Sequence, residues 1–265
     1  MRYINLLGSA NNNMASRVVA VVQARMASSR LPGKVLADLG GQPVLAWVVR
    51  RAQRAEGIDQ VVVATSVAAE DAVIEAFCRE REYPCTRGEL HDVLDRYVRT
   101  AHEFDAEVVV RLTGDCPFID PEMLSENLST FLSADPPLDF AANRLPGDRT
   151  IPIGLDAEFC TIQALETAWR EAQEPHQREH VMPFFYEQPE RFRILHIKHQ
   201  PDYGDFRWTV DTPEDLQLLR EVVAHFKDDQ FSWKDVLALV EAHPELMQIN
   251  ANITHKSQGD VDSRR

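Results

Sequence analysis

The segment Gln23–Lys34 constrains this chain most, because it joins an apolar run to a short basic loop. It follows Val18–Val22 and brings Arg25, Arg30 and Lys34 together with two serines and a glycine. In a loop at the end of a buried strand, backbone N–H groups and hydroxyls can bond phosphate oxygens while the cations offset their charge. The glycine spacing of the P-loop is missing. The segment therefore predicts a polyphosphate site of a different kind.

Composition and charge limit the class of protein and its surroundings. The 265 residues are 44% hydrophobic and 26% charged, which is typical of a globular protein. A formal net charge of −14 argues against a nucleic-acid partner, because such proteins usually present a basic face. No apolar run approaches the roughly 18 residues that span a bilayer, and the four cysteines lack paired metal-site spacing. We therefore expect a cytoplasmic protein with no nucleic-acid and no membrane partner.

Short apolar runs alternate with segments of helical periodicity, which predicts an α/β fold with a mixed, mostly parallel sheet. We expect strands at residues 18–23, 60–64, 84–86, 107–112, 155–161, 192–199 and 207–210. We expect helices at residues 44–55, 70–82, 92–103, 121–133, 162–174, 213–225 and 233–242. Residues 135–152 are rich in Pro, Gly, Asp and Arg, and they are predicted to form a long loop of the kind that often serves as a lid.

Two aspartates lie beside predicted elements at points suited to a ligand. Asp115 follows the strand 107–112, and ligands of open α/β sheets bind at the carboxyl ends of strands. A carboxylate beside a triphosphate is a natural ligand for Mg²⁺, although an aspartate here also suits the cap of a turn. Asp211 opens an ordinary helix start, in which Glu214 and Asp215 are favoured by the helix dipole. The residues alone therefore predict a helix cap at this position, with the following acids stabilising the helix.

Residues 24–34 resemble the signature loop of the sugar-activating cytidylyltransferases in its 3-deoxy-manno-octulosonate (KDO) form, which ends in Arg-Leu-Pro-Gly-Lys. Gln23 instead resembles the spore-coat polysaccharide F (SpsF-like) branch of that superfamily, as do Arg87–Tyr97, Gly154–Glu158 and residues 178–181. The resemblance is therefore closest to the SpsF-like branch. It implies a three-layer α/β sandwich with the nucleotide-diphospho-sugar transferase fold, which is GT-A or Rossmann-like.

The resemblance also implies roles for individual residues. The loop would hold the triphosphate of CTP, and the implied nucleotide-binding residues are Gln23, Ala24, Arg25, Ser28, Arg30, Lys34, Arg87 and Asp92. The implied catalytic residues are Arg25, Lys34, Asp115 and Asp211, of which the two aspartates would hold Mg²⁺ as the cofactor. Resemblances in the second half imply acceptor contacts from Asp156, Glu158, Arg178 and His180. The residues alone leave Arg87 and Asp92 open as a helix start, and His180 as a packed histidine.

The implied reaction is the transfer of CMP from CTP to a small acidic sugar or related acceptor, with release of pyrophosphate, for surface polysaccharide or glycoconjugate synthesis. By analogy with the KDO branch, this cytidylyltransferase would be a homodimer. The alternatives are a nucleotidyltransferase with another nucleotide or a phosphorylated acceptor, a glycosyltransferase, and a non-catalytic nucleotide-binding protein. Glycosyltransferases of this fold often carry Asp-x-Asp after a strand. The Asp-x-Asp of this chain lies at 260–262, outside the predicted strands, which argues against that class.

The resemblance covers roughly residues 17–225 and indicates a single nucleotidyltransferase domain at residues 17–249. Met14 is a candidate native start, because the residues before it are polar and rich in Asn. The predicted parts are a disordered leader at 1–16, a nucleotide-binding half at about 17–134, an acceptor half at about 135–249 and a flexible tail at 250–265.

Overall fold

A computed structural model describes residues 16–253 of the chain. The predicted start at Met14, nearly all of the predicted leader, residues 254–265 of the predicted tail and the Asp-x-Asp run at 260–262 lie outside the described residues. Within the described range, no helix is long and apolar enough to cross a membrane.

The strands and helices alternate through most of the chain. The strands are β1 (Val18–Gln23), β2 (Asp38–Leu39), β3 (Gln42–Pro43), β4 (Gln60–Ser66), β5 (Cys85–Gly88), β6 (Val108–Thr113), β7 (Phe140–Ala142), β8 (Arg144–Leu145), β9 (Asp148–Arg149), β10 (Glu158–Thr161) and β11 (Ile194–His196). The helices are α1 (Val44–Ala52), α2 (Ala72–Glu80), α3 (Val93–Glu103), α4 (Pro121–Leu132), α5 (Ile162–Glu171), α6 (Pro175–His180), α7 (Pro183–Tyr186), α8 (Pro213–Ala224) and α9 (Trp233–Ala242). Short 3₁₀ turns lie at Lys34–Leu36, Ala69–Asp71 and Leu246–Gln248.

The central sheet has seven strands in the order β11-β7-β10-β6-β1-β4-β5. Strands β6, β1, β4 and β5 are parallel neighbours, whereas β10 runs antiparallel to both β6 and β7. The central strands β1 and β4 are buried on both faces, which explains the continuous apolar runs Val18–Val22 and Val61–Ala64. The predicted α/β fold with a mixed, mostly parallel sheet is confirmed.

Helices cover both faces of this sheet and give three layers. Ala20 and Val22 of β1 face a core shared with α1, α2 and α4. Val19 and Val21 face the opposite core, which is shared with α3, α5 and α7. A third apolar cluster joins α8 and α9 to Trp208 and Val44. This third cluster fixes the C-terminal helices against the rest of the domain.

The structure differs from the predicted elements mainly in the second half. The predicted loop 135–152 contains strand β7 and the small hairpin β8–β9. The predicted strand 207–210 is wrong, because Arg207 forms only an isolated bridge with Ile153. The short helices α6 and α7 have no counterpart in the predicted elements. Elements of two to six residues are too short to show a period, so tertiary pairing alone reveals them.

Asn250, the first residue of the predicted tail, packs against the rest of the chain. Its side chain is buried, and its amide donates to the Arg207 carbonyl at 3.2 Å and to the Asp215 carboxylate at 2.9 Å. This asparagine therefore satisfies buried polar groups of another segment.

The register of β1 against β6 positions the site. Gln23 pairs with Thr113, so the loop after β1 and the turn after β6 leave the sheet at the same edge. Gly114 donates its N–H to the Gln23 carbonyl at 2.8 Å. A Cβ at Gly114 would lie 3.0 Å from that carbonyl oxygen and 3.1 Å from the Ala24 Cβ. A glycine is therefore favoured where the two chain segments approach each other.

Candidate active site

The basic loop after β1 has a fixed conformation. Gly33 has a φ of +73°, which is costly for residues with a side chain, and its N–H donates to the Met26 carbonyl at 2.9 Å. The Met26 N–H in turn donates to the Asp71 carboxylate at 2.6 Å. The Leu31 N–H donates to the Ser28 hydroxyl at 3.4 Å. The loop is thus folded back on itself, and Lys34 is the first residue of the 3₁₀ turn that follows it.

Lys34 lies between the two aspartates that the sequence singles out. Its ammonium Nζ is 2.5 Å from an Asp115 carboxylate oxygen and 2.7 Å from an Asp211 oxygen. The Lys34 side chain is 11% exposed. The structure therefore brings together the loop after β1, the turn after β6 and the start of α8.

The backbone holds the two aspartates in this arrangement. The Val210 N–H donates to the Asp115 carbonyl at 2.8 Å, and the Thr209 hydroxyl donates to the same oxygen at 3.1 Å. The Thr209–Val210 segment is thereby tied to the turn after β6. The main chain at Asp115 and the segment that leads into Asp211 are consequently held side by side by contacts that do not depend on Lys34.

Asp211 is surrounded by cations and sits on a rigid base. Besides Lys34, its carboxylate contacts the Arg30 guanidinium at 2.9 Å and the Arg207 guanidinium at 2.7 Å. Arg207 also binds the fully buried Asp215 through two hydrogen bonds of 2.9 Å each. Asp215 accepts the Asp211 N–H at 3.0 Å and forms the capping box of α8. Asp215 thus serves the helix start, as expected, and also orients Asp211.

Arg207 and Asp215 are site residues that the sequence reasoning missed. The Asp-Thr-Pro-Glu-Asp run contains the signal for Asp215, because the third helical residue of a capping box reaches back to the cap. No comparable local signal marks Arg207, whose partners follow it by four and eight residues across a turn.

The opposite charges in this cluster favour the ionised forms of Lys34 and Asp211. Burial disfavours the Lys34 ammonium, but the attraction of Asp115 and Asp211 outweighs it, so the pKa of Lys34 is raised. Burial likewise disfavours the Asp211 carboxylate, yet Lys34, Arg207 and Arg30 hold its pKa below the usual range. Both groups therefore keep their charges at neutral pH.

The other predicted nucleotide-binding residues divide into two groups. Gln23 accepts the Tyr97 hydroxyl at 3.2 Å, and the Ala24 N–H donates to the Ala64 carbonyl at 3.1 Å, which fixes the entry to the loop. Arg25 reaches across to Glu179 of α6 at 3.7 Å. These residues border the site.

Arg87 and Asp92 take part in local structure instead. The Arg87 guanidinium donates to the Ser66 carbonyl at 2.8 Å and to Glu75 at 2.9 Å. Asp92 caps α3 by accepting the Asp95 N–H at 2.9 Å. The helix-start interpretation that the sequence left open therefore applies to Asp92, which also binds Arg178 of α6, whereas Arg87 binds the segment after β4 and helix α2.

The predicted acceptor residues are mostly engaged in ion pairs. Asp156 binds Arg149 through contacts of 2.5 and 2.9 Å. Glu158 pairs with Arg111 inside the sheet, where both side chains are nearly inaccessible. These carboxylates stabilise β10 and its neighbours, and the structure does not join them to the Lys34 cluster.

Two further acceptor candidates lie on α6. Arg178 binds Asp92 at 3.1 Å and the Trp169 carbonyl at 2.6 Å. The His180 Nε2 is buried and lacks a hydrogen-bond partner among the described residues. Burial and the nearby Arg111 cation lower the pKa of His180 to about 4, so its imidazole is neutral at physiological pH.

The carboxylate oxygens of Asp115 and Asp211 suit a hard cation whose remaining ligands come from the substrate and water. Among residues 16–253 no group of three or more His, Cys, Asp or Glu side chains is arranged to hold a metal. Asp115 and Asp211 nevertheless converge on one point, which the Lys34 ammonium marks. Mg²⁺ usually binds one or two carboxylates together with substrate phosphates and water. The two aspartates therefore fit Mg²⁺ when a phosphate ligand completes its shell.

Comparisons with known proteins agree with this geometry. A family model described as cytidylyltransferase matches residues 19–253. The spore coat polysaccharide biosynthesis protein SpsF of Bacillus subtilis is 31% identical over 238 residues, which are 86% of this chain and 95% of that protein. A 3-deoxy-manno-octulosonate cytidylyltransferase of Bradyrhizobium diazoefficiens is 38% identical over 128 residues, which are 46% of this chain and 50% of that protein.

A solved structure extends the agreement to the fold. The structure of a cytidylyltransferase from Leptospira borgpetersenii superposes with a TM-score of 0.85 at 31% identity, and the match covers 91% of this chain and all of that one. The SpsF match spans most of the chain and the KDO match about half, so the predicted resemblance, closest to the SpsF-like branch, is confirmed. The chain therefore belongs to the cytidylyltransferase family and is a nucleotidyltransferase enzyme.

Proposed function

We propose that this protein transfers CMP from CTP to a small acidic sugar or related acceptor, with release of pyrophosphate and dependence on Mg²⁺. The observation that carries the proposal is the position of Lys34 between Asp115 and Asp211, beside Arg30, at the carboxyl edge of a parallel sheet. A phosphate-binding loop and two convergent carboxylates are what a metal–triphosphate substrate needs. Membership of the cytidylyltransferase family supports CTP as that substrate.

The basic loop would bind the triphosphate. Arg30 and Lys34 already project to the edge where β1 and β6 end, and Arg25 borders it from the side of α6. Their charges offset the negative charge that develops on the departing pyrophosphate. Nucleotidyl transfer depends mainly on such positioning and charge stabilisation, with the acceptor oxygen in line with the leaving group.

The two aspartates would hold the metal. When bound between Asp115 and Asp211, Mg²⁺ would neutralise charge on the phosphate oxygens around the reacting phosphorus. Asp211 is oriented for this role by Arg207 and Asp215, and Asp115 by the contacts of its carbonyl. Each carboxylate is thus preorganised before a substrate binds.

The acceptor would bind next to helix α6. The contact of Arg25 with Glu179 brings this helix to the rim of the phosphate loop, and His180 follows directly. The printed name of the Bacillus subtilis relative connects that protein with spore-coat polysaccharide, which supports a sugar acceptor and a role in surface polysaccharide or glycoconjugate synthesis. The proposal further includes a homodimer, which rests on the resemblance to the KDO branch alone, and a cytoplasmic location, which rests on the composition and the spacing of the cysteines.

The test is a pyrophosphate-release assay. The protein is mixed with CTP, UTP, GTP or ATP, Mg²⁺ and a panel of 2-keto-3-deoxy sugar acids, other acidic sugars and sugar phosphates. We expect release that requires CTP together with an acidic sugar, and a product whose mass is that of the sugar plus CMP less the water lost on forming the phosphoester bond. A CDP-linked product or a preference for another nucleotide would favour the related nucleotidyltransferase alternative. No CTP-dependent release with any acceptor would contradict the proposal.

A further inference from the structure

The Lys34 ammonium occupies the point where the proposed metal would bind. Its contacts of 2.5 Å to Asp115 and 2.7 Å to Asp211 are hydrogen-bonded ion pairs with both candidate ligands. Mg²⁺ binds carboxylate oxygens at about 2.0–2.1 Å, so ion and ammonium would compete for the same position between the two carboxylates. The lysine must move before a cation can enter.

The charges around this point are already balanced in the protein alone. Asp211 has three cationic neighbours, namely Arg30, Lys34 and Arg207. The cationic neighbour of Asp115 is Lys34, whose ammonium lies 2.5 Å from its carboxylate. A free divalent ion would therefore have to displace a buried ammonium and bind beside two guanidinium groups that repel it.

A triphosphate changes this balance. It supplies several negative charges to Arg30 and Lys34, and it gives the ion the ligands that the two carboxylates cannot provide. Lysine is suited to such a move, because its compact charge is carried on a flexible four-carbon stem. The Lys34 stem starts at the end of the phosphate loop itself, so the same side chain can reach either partner.

We propose that Lys34 is a tethered cation that holds the metal position between Asp115 and Asp211 until the nucleotide arrives. The divalent ion consequently binds together with the nucleotide and not before it. This inference rests on the proposed function, because that function supplies both the metal and the triphosphate. It assigns Lys34 two successive partners, the carboxylates in the free enzyme and the phosphates in the complex.

The experiment measures Mn²⁺ binding to the protein without any turnover, as the excess of Mn²⁺ on the protein side of an equilibrium-dialysis membrane, because CTP alone binds Mn²⁺ and lowers the signal of the unbound ion in solution. Mn²⁺ is the probe because carboxylate and phosphate oxygens suit it as they suit Mg²⁺. Wild-type protein, Lys34→Met and the control Lys227→Met, at an exposed lysine after α8, are each titrated with and without CTP. A second variant, Lys34→Gln, serves if Lys34→Met does not fold.

We expect wild type and Lys227→Met to bind Mn²⁺ at least about tenfold more tightly with CTP than without it. Without CTP, Lys34→Met should bind Mn²⁺ at least about tenfold more tightly than wild type, because the carboxylates have lost their resident cation. The inference is overturned if the Lys34 variants without CTP bind Mn²⁺ no better than wild type, because Lys34 then does not hold the metal position. If the variants gain affinity but CTP does not increase Mn²⁺ binding to wild type, the proposed function fails, and with it the joint binding of metal and nucleotide, while the position of Lys34 between the carboxylates holds.

Discussion

The Lys34 cluster and the acceptor motif around Asp156 carry sequence signals of similar clarity, yet their charged side chains end in different surroundings. Around Lys34, side chains from three distant segments meet at one sheet edge, namely Arg30 and Lys34, Asp115, and Asp211 from the second half of the chain. In the acceptor half, Asp156 and Glu158 belong to one short segment, and each is satisfied by a neighbouring arginine.

This difference separates residues placed for chemistry from residues placed for packing. Buried opposite charges that converge from distant segments at a sheet edge are available to a ligand, which can exchange for one of the partners. An ion pair enclosed within a sheet, such as Glu158 with Arg111, has no such exchange and stabilises the fold only. The following experiments test this distinction.

The greatest loss of activity is expected for Asp115→Asn. Loss of this carboxylate should lower the rate of CTP-dependent pyrophosphate release by about 10³-fold, which corresponds to about 4 kcal/mol of transition-state stabilisation. The fold should survive, because the backbone carbonyl of residue 115 keeps its contacts with Thr209 and Val210. The control Asp148→Asn removes an exposed carboxylate of the β8–β9 hairpin and should leave the rate unchanged. Near-normal turnover of Asp115→Asn would remove this residue from the mechanism.

Glu158→Gln should act on stability rather than on nucleotide binding. Breaking one partner of a buried ion pair costs about 3–5 kcal/mol, and Arg111 would be left without its partner charge. We expect a lower urea midpoint and an unchanged affinity for CTP. The matched control Glu166→Gln affects exposed pairs with His102 and Arg170, so it should cost less than about 1 kcal/mol. A stable Glu158→Gln protein with weaker acceptor binding would instead assign this residue to the acceptor.

Asn250→Ala tests how far the nucleotide site extends. This side chain supports Asp215, which orients Asp211, so its loss should lower kcat/KM by about tenfold, at the lower end of effects seen for second-layer contacts to metal ligands. A structural role alone would not change the Mg²⁺ concentration needed for half-maximal activity, whereas a positioning role should raise it. Asn252→Ala, at an exposed asparagine two residues later, is the control. An unchanged Mg²⁺ requirement would argue against the positioning role.

The smallest effect is expected for His180. Its buried Nε2 has no hydrogen-bond partner among the described residues, whereas the carboxylates of Asp156 and Glu158 are paired with arginines. The pKa of His180 is about 4 in the folded protein and about 6.5 when unfolded, so the unfolded chain binds the proton first as the pH falls. Its contribution to stability is therefore complete above about pH 6.5 and declines toward pH 4, by less than about 1.4 kcal/mol per pH unit because the ring is half-buried. Urea unfolding of wild type and His180→Gln between pH 4 and 7 measures the difference. Parallel pH profiles for the two proteins would contradict the assigned burial.

Several elements in both halves could be predicted from local patterns. The strand Val18–Gln23 has the predicted bounds, because a parallel strand buried on both faces must be continuously apolar. The helix Trp233–Ala242 also has the predicted bounds, since its start is fixed by the local capping box of Ser232 and Asp235. The three-residue strand β7 was missed because only pairing with β10 and β11 defines it.

The sequence by itself determined the chemistry of the site: a basic loop after β1, and two aspartates at the ends of elements that share one sheet edge. It could do so because strand ends, helix starts and phosphate loops are each marked by a pattern of residues that are neighbours in the sequence. Only the tertiary structure decided which charges meet. The positions of Lys34 between Asp115 and Asp211, and of Asn250 against Asp215, depend on contacts between segments far apart in the chain. Such contacts leave no local pattern, because they form only when the packed core fixes the distances between elements.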